Sequence, residues 1–128
     1  MTWVTTSPVE IQLPALAEWG LVARSVILAY AGARGASSTS LDELGMACGH
    51  MWEEVADSPG VVSTSITATT RGDAIHLVLE GTGNDLLPGE PRWLSPVSAA
   101  VVGHVARRVS VSRSNERVRI EADLPLGA

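Results

Sequence analysis

The sequence has a single cysteine, no lysine and no apolar run long enough to span a membrane. Because Cys48 has no second cysteine to pair with, an internal disulfide is excluded. No basic segment followed by an apolar stretch opens the chain, so we read no signal peptide and expect a cytoplasmic location. The length of 128 residues predicts one domain over residues 1–128.

Charge is also sparse, since charged residues make up 18 % of the chain and hydrophobic residues 45 %. Such a composition excludes a disordered chain. The net charge of −5 argues against nucleic acid or an anionic membrane as the main partner and favours a protein or a small molecule. All nine basic residues are arginines. Several gather late in the chain, as a solvated face or as a docking patch: Arg107, Arg108, Arg113, Arg117 and Arg119.

Hydrophobic periodicity predicts eight elements in the order β-α-α-β-β-α-β-β. A half-buried strand opens the chain and ends at Pro14, and residues 15–34 then predict an amphipathic helix with Trp19 in the core. A capping box, in which Ser40 and Glu43 each bond a free backbone N–H, opens a second helix. The apolar stripe of this second helix comprises Leu41, Leu44, Cys48, Met51, Trp52 and Val55.

The second half of the chain predicts two hairpins with a loop and a third helix between them. The first hairpin turns through an Arg-Gly-Asp triplet, which we interpret as a turn because integrin binding would need an extracellular protein. Residues 81–93 predict a loop, and Ser95 with Pro96 opens the third helix. The residues predicted to face inward are Val62, Ile66 and Ala68 in the first hairpin, Val97, Val101, His104 and Val105 in the helix, and Val118, Ile120, Ala122 and Leu124 in the last strand.

These elements predict an α+β two-layer sandwich, with a mixed, mostly antiparallel sheet and three helices on one face. Three segments also carry a family likeness: the helix at residues 41–57, the Gly81-Thr-Gly83 turn, and residues 98–126 with their Leu-Pro-Leu ending. Over about residues 9–126 the chain resembles the anti-sigma factor serine kinases, a branch of the histidine-kinase-like ATPases (the GHKL or Bergerat family). The resemblance implies a Bergerat-like ATP-binding fold.

The resemblance also implies a nucleotide site, whose positions carry unusual residues in this chain. The family has a glutamate on its second helix as general base and, four residues later, an asparagine that binds magnesium. Those places hold Cys48 and Trp52, which offer magnesium no oxygen ligand. Glu53 and Glu54 are turned away by one or two residues, so we expect them in solvent. His50 and Glu54 form an i, i+4 pair, which alone makes a weak metal site, and no metal site is predicted.

Two further family features are altered. The family's Asp-x-Gly-x-Gly pattern binds adenine through its aspartate; Gly81 and Gly83 match it here, but Leu79 stands at the aspartate place. The glycine-rich lid is replaced by residues 91–96, which contain prolines and bulky side chains. Cys48 lies mid-helix on a buried face without a neighbouring cation, which predicts an inert thiol rather than a nucleophile. No catalytic residue is therefore predicted, and ATP and magnesium are expected only if the pocket still functions.

The function implied by the resemblance and these departures is an anti-sigma-factor-like regulator in a partner-switching system. It would act by protein–protein binding, without ATP binding or kinase activity. The implied partners are a sigma factor or a STAS-type anti-sigma antagonist, together with a second copy of the chain in a homodimer. Exposed tryptophan and arginine are typical binding anchors, so Trp3, Trp93, Arg107 and Arg108 are the candidate contacts.

Two alternatives stay open. One is an active ATP-dependent serine/threonine kinase in which an acidic residue such as Glu43 or Glu53 supplies the base. The other is a small-ligand-binding module with a remodelled pocket around Cys48, Trp52 and Gly81. Nucleotide binding would favour the first, and a ligand that stays with the purified protein would favour the second.

Overall fold

The computed structural model describes residues 8–84, 86 and 95–127, which form a five-stranded sheet covered by three helices. The strands are β1 (Val9–Pro14), β2 (Val61–Arg71), β3 (Ala74–Gly83), β4 (Arg108–Arg113) and β5 (Arg117–Pro125). The helices are α1 (Gly20–Ala33), α2 (Ser38–Ala56) and α3 (Pro96–Val105), and a 3-10 turn (Ala17–Trp19) precedes α1. The expected α+β two-layer sandwich is confirmed, and all four strand pairings are antiparallel.

The order of strands in the sheet is β1-β2-β3-β5-β4, so that β1 and β4 form the two edges. Helix α2 lies in the middle of the helix layer over β2, β3 and β5, and α1 and α3 pack on its two sides. Its buried face and the inner face of the sheet make the core. Fully buried members of this core include Leu44, Cys48, Met51, Val55, Ile66, Leu77, Leu79 and Ile120. No helix among the described residues is both long and apolar enough to cross a membrane.

The starts of the first two helices differ from the sequence prediction. Ser37 caps α2, because its side chain accepts a hydrogen bond from the Ser40 N–H at 3.1 Å. The capping box predicted at Ser40 is therefore wrong, and the helix begins one turn earlier. The prediction that Trp19 is core is also wrong: it belongs to the 3-10 turn, whose tighter period directs it away from the buried face of α1, and it is 37 % exposed.

Strand β2 faces inward with Ile66 and Ala68, as predicted, but Val62 is 71 % exposed. The register between β2 and β3 shifts between Val61 and Ser63. Such an irregularity reverses the alternation of side chains at that point, because successive strand residues face opposite sides of the sheet. The inward prediction for Val62 is therefore wrong, while the rest of the strand keeps the expected phase.

Helix α3 begins as predicted, with the Ser95 side chain accepting a hydrogen bond from the Ser98 N–H at 3.2 Å. Its buried face is different from the predicted one, however. Val105 is buried as predicted, but Val97 is 64 % exposed, His104 is also exposed and Val101 is half-buried. Ser98 and Val102 are buried instead. The helix packs against α2 through Ser98, so its core-facing side is rotated from the stripe of valines by one residue. Consequently, part of that stripe stays in solvent.

Candidate functional site

A groove of about 420 Å³ lies between the second half of α2 and the start of α3, and we call it the α2–α3 groove. Residues from α2, α3 and the end of β4 line it, together with the segment that follows α2. They are His50, Glu53, Glu54, Asp57, Ser58, Pro59, Ser95, Val97, Ser98 and Arg113. Three of these residues, Glu53, Glu54 and Asp57, are carboxylates.

The helical period explains why these side chains meet there. Cys48, Met51 and Val55 occupy the face of α2 that packs on the sheet, so residues rotated from that face by one or two positions point along the helix layer. His50 and Glu54 are four residues apart and both reach α3. The i, i+4 pair seen in the sequence therefore faces the groove.

Two hydrogen bonds join α2 to the first turn of α3. The Glu54 carboxylate accepts from the Ser95 N–H at 2.9 Å, and the His50 Nδ1 lies 3.1 Å from the Ser98 hydroxyl. A free N–H at a helix start is where a fold of this kind can hold an anion. Here the Glu54 carboxylate already accepts a hydrogen bond from that N–H. The expectation that Glu54 is in solvent is wrong, because this bond holds it half-buried, whereas Glu53 is exposed as expected.

The far end of the groove has one cation. The Arg113 guanidinium donates to the Ser58 hydroxyl at 3.2 Å, and that hydroxyl donates to the Glu54 backbone carbonyl at 2.7 Å. The side chains of Glu53, Glu54 and Asp57 bring three carboxylates to the same lining. With three carboxylates and one guanidinium in its lining, the groove is net negative, and it favours cations over anions.

The two α2 residues at the family's base and magnesium positions do not face this groove. Cys48 is fully buried against the sheet, and burial raises the pKa of its thiol to about 12 while the charge of Arg24 acts less strongly in the opposite direction. Trp52 is 3 % exposed and packs against Gly20, where an added β-carbon would lie 2.9 Å from its Cδ1. The indole N–H has no hydrogen-bond partner among the described residues. Both side chains thus belong to the core, Trp52 on the α1 side.

The glycine pair lies inside β3 rather than in a turn, so this prediction is corrected. A β-carbon at Gly81 would lie 2.8 Å from Val55 Cγ1 and 2.9 Å from Val61 Cγ1. A β-carbon at Gly83 would collide with the Gly60 carbonyl oxygen. The glycines therefore let β3 approach the segment after α2, which is a packing role.

Side chains of the protein fill the space beside these glycines. Leu79 is 1 % exposed, and Leu86, whose Cδ2 lies 3.2 Å from the β-carbon position at Gly83, is 2 % exposed. The Leu86 N–H donates to the Asn115 carbonyl at 2.8 Å, which ties this residue to the β4–β5 turn. An adenine ring would have to displace these apolar contacts and would gain no carboxylate acceptor at Leu79.

The residues at the family's ligand positions therefore do not fit magnesium and ATP. The residues at the family's ligand positions are a buried thiol and a buried indole, and the start of α3 bonds to Glu54. Among the residues that the structure describes, no group of three histidine, cysteine or acidic side chains is arranged to hold a metal ion. Most of the lid segment, residues 91–94, lies outside the described residues.

The predicted partner contacts are only partly described. Arg107 and Arg108 are exposed where α3 leads into β4. Arg107 forms a bidentate ion pair with Asp73 in the Arg-Gly-Asp turn, at 2.6 and 2.8 Å. The hydrogen bond from Arg107 holds the pKa of the Asp73 carboxyl below its ordinary value. Trp3 and Trp93 lie outside the described residues. The structure does not bring the arginines to the α2–α3 groove.

Sequence reasoning missed that Glu54 and His50 bind the start of α3. The sequence does show each part of this arrangement by itself: the i, i+4 spacing of the pair, and the Ser-Pro start of the third helix at Ser95. What joins them is the packing of α3 beside α2, which no local pattern contains. A carboxylate at a helix start is favourable by itself, so the two signals are compatible.

No protein-family model and no curated protein matches this chain. Among solved structures, it is similar to the crystal structure of the RsbU and RsbW domains of Rv1364c from Mycobacterium tuberculosis, with a TM-score of 0.71 and 12 % sequence identity. The match covers 94 % of this chain and 32 % of the chain in that structure, so this chain spans about a third of the length of its neighbour. The five-stranded antiparallel sheet with three helices is thus the Bergerat-like fold that the sequence resemblance implies.

Proposed function

We propose that this chain is an anti-sigma-factor-like regulator that acts by binding other proteins, without binding ATP or transferring phosphate. The observation that carries the proposal is the bond between the Glu54 carboxylate and the Ser95 N–H, at 2.9 Å. A phosphate at that helix start would have to displace the carboxylate and then lie beside two further acidic side chains, Glu53 and Asp57. Electrostatic repulsion and the loss of the existing bond both oppose it.

The likeness of the fold to a structure that contains an RsbW domain supports the anti-sigma part of this proposal, together with the sequence resemblance to anti-sigma factor kinases. We therefore propose a sigma factor or a STAS-type antagonist as the partner class. A chain that keeps the fold of such a domain but has lost its nucleotide pocket can still hold a partner through its surface.

Self-association is the second part of the proposal. The 3-10 turn and the first turn of α1 leave a run of large apolar side chains in solvent, which we call the α1 patch. It comprises Leu16 at 52 %, Trp19 at 37 %, Leu21 at 73 % and Val22 at 41 % exposure. Exposed apolar residues this close together are typical of a protein interface. A homodimer, as the sequence resemblance implies, would cover them.

Calorimetric titration of the purified chain with Mg-ATP and Mg-ADP tests the loss of nucleotide binding, with tryptophan fluorescence followed in parallel. We expect no saturable heat up to millimolar nucleotide, because the groove is acidic and the glycine segment is packed. Saturable binding at micromolar concentration would overturn the proposal. Glu54→Gln provides a matched variant: it keeps an acceptor oxygen for the Ser95 N–H and removes one negative charge.

Co-purification with a tagged chain from its own cells, followed by mass spectrometry, tests the partner class. We expect a sigma factor or a STAS-domain protein to be enriched over a control tag. Reproducible recovery of proteins from other classes alone would contradict the proposed regulatory role, even if nucleotide binding is absent.

An active kinase with divergent ligands is the second candidate, because Glu53 and Glu54 line the groove instead of turning away from it. Carboxylate oxygens are suitable magnesium ligands, so a bound metal could reverse the electrostatic argument. The same titration separates the two candidates. Phosphate transfer to a serine of a partner would then be the next measurement.

A further inference from the structure

The outer edge of β4 is open in the described part of the chain. Strand β4 pairs with β5 on one side, in an unbroken antiparallel register from Arg108 opposite Asp123 to Arg113 opposite Val118. On its other side no described strand follows, since β4 is the last in the sheet order. Its free backbone groups can therefore pair with another extended chain.

The register identifies which backbone groups are free. The Ser114 N–H donates to the Arg117 carbonyl at 2.8 Å, and the bonds to β5 recur at every second residue along an antiparallel pair. Ser112 and Ser110 therefore also direct their N–H and C=O groups towards β5. The same groups of Val109 and Val111 point out of the sheet, towards the open edge.

The other edge of the sheet is protected, whereas β4 is not. Strand β1 follows Pro8 and ends at Pro14, and proline is a common device that blocks strand addition. Strand β4 reads Arg-Val-Ser-Val-Ser-Arg, without proline, and its pairing with β5 contains no irregularity. The small side chains between its two terminal arginines allow another backbone to approach.

Apolar surface lies beside the open edge. Val109 is 37 % exposed on β4, and Val97 of α3 is 64 % exposed and borders the same groove as Arg113 at the end of β4. A sixth strand would extend the sheet beneath the outer side of α3, and every second side chain of that strand would face this helix. It would cover part of the valine stripe that α3 leaves in solvent.

The charge along β4 selects the partner. Arg108 and Arg113 stand at its two ends, and the strand carries no carboxylate. A cavity of about 520 Å³ opens where β4 begins, with Arg71 and Arg108 among its lining residues. None of the ion pairs within the described ranges involves Arg71 or Arg108.

The acidic side chains of this cavity already have partners. Asp123 bonds His76 at 2.7 Å, and Glu121 contacts Arg119 at 2.7 Å and His76 at 3.4 Å. Arg71 and Arg108 are thus the charged residues of this cavity without an ion pair among the described residues, and guanidinium groups attract carboxylates.

We propose that the open edge of β4 binds an acidic, extended segment of a partner protein as a sixth strand of the sheet. The proposal rests on the protein-binding function proposed above and names one surface for it. A second copy of this chain is the less favourable occupant, because pairing β4 with its own copy would bring the arginines of both copies close together, and like charges repel. An acidic strand instead gains main-chain bonds along β4 and ion pairs with Arg71 and Arg108, where β4 begins.

The test is selection from a displayed library of random peptides of about ten residues on immobilised protein. Three forms are compared: the wild type, Val111→Pro and Val111→Ala. Proline removes the outward N–H of Val111 without removing a bond to β5, and alanine matches its loss of side-chain packing while keeping the N–H. Unchanged circular dichroism of both variants shows that the sheet is intact.

We expect enrichment of peptides that alternate β-branched with acidic residues, and a loss of affinity of about tenfold or more in Val111→Pro but not in Val111→Ala. Arg108→Glu is a second variant that leaves the backbone untouched, and it should weaken the same peptides. Absence of enrichment, selection of basic peptides, or equal binding to the proline and alanine variants would overturn the proposal. A wild-type dimer that Val111→Pro dissociates would assign the edge to a second copy and overturn it too.

Failure of the β4 proposal can be distinguished from failure of the proposed function. If the proline variant still captures the same sigma factor or STAS-domain protein from cells, the regulatory function stands and the β4 edge is not its binding surface. If neither form captures such a protein, but the wild type selects acidic peptides that Val111→Pro no longer binds, the edge is a binding surface for another partner class.

Discussion

At the scale of single residues, rotation around one helix decides what the chain can bind. Cys48 faces the sheet and Trp52 packs beside Gly20 of α1, although the two are four residues apart like the family's base and magnesium ligand. Glu54, two residues after Trp52, lies about 200° further around the helix and bonds the start of α3. The pair that contacts α3 at the groove, His50 and Glu54, therefore does not occupy the positions of the family pattern.

The buried thiol of Cys48 gives a prediction for alkaline stability. Burial raises its pKa from 9.0 to about 12 in the folded protein, so above pH 9 the unfolded chain loses a proton that the folded chain keeps. The thiolate thus favours unfolding, and this residue should lower the free energy of unfolding by about 1.4 kcal/mol between pH 8 and pH 10. Urea denaturation at both pH values measures the change.

Cys48→Ala is the matched control, since it removes the titrating group and leaves every other one in place. Its absolute stability will be lower, because a small cavity replaces the sulfur. Its loss of stability between the two pH values should be smaller than that of the wild type by the amount stated. Equal losses in the two proteins would mean that the thiol is not buried as described.

At the scale of the elements, the contact between α2 and α3 depends on a carboxylate. Removing the Glu54 side chain leaves the Ser95 N–H at the start of α3 without its acceptor. We expect Glu54→Ala to lower the free energy of unfolding by about 1 kcal/mol, and Glu54→Gln to recover part of it because the amide oxygen can still accept. Denaturant unfolding monitored by circular dichroism measures both.

Glu53→Ala is the neighbouring control for this contact. Glu53 is exposed and has the same charge, so its removal should change the stability by less than about 0.5 kcal/mol. A loss as large as that of Glu54→Ala would show that general electrostatics, and not the bond to Ser95, accounts for the effect.

Local sequence pattern predicts which face of a regular strand is buried, but it does not predict contacts between distant elements. Alternation in the last strand predicted Val118 and Ile120 inward, and both are buried, because a regular strand between two neighbours keeps its phase. Val62 was predicted on the wrong face, because one register shift reverses the side of the sheet that a residue faces. A shift of that kind depends on the partner strand. The groove could not be predicted for the same reason: Glu54 and Ser95 are 41 residues apart and meet only through helix packing.

At the scale of the whole molecule, one side of the helix layer is apolar and exposed. The α1 patch lies at the start of α1 next to Trp52, on the other side of α2 from α3. Glu53 and Asp57 of the acidic groove also line a second cavity, which Leu21 and Trp52 border on the α1 side. A dimer through the patch would therefore approach the groove but leave the β4 edge free for other partners.

This arrangement predicts a concentration-dependent dimer that a single charge in the patch disrupts. Leu21 is 73 % exposed, so Leu21→Glu should leave the fold intact while placing a carboxylate in the contact. Sedimentation equilibrium should then give a dissociation constant raised by about tenfold or more, because a desolvated, unpaired charge costs well over 1.4 kcal/mol. Val97→Glu serves as the control, since Val97 is 64 % exposed at the start of α3, on the other side of α2 from the patch. If both substitutions weaken the dimer equally, the net charge of −5 rather than the patch controls association, and a dimer that neither affects must use another surface.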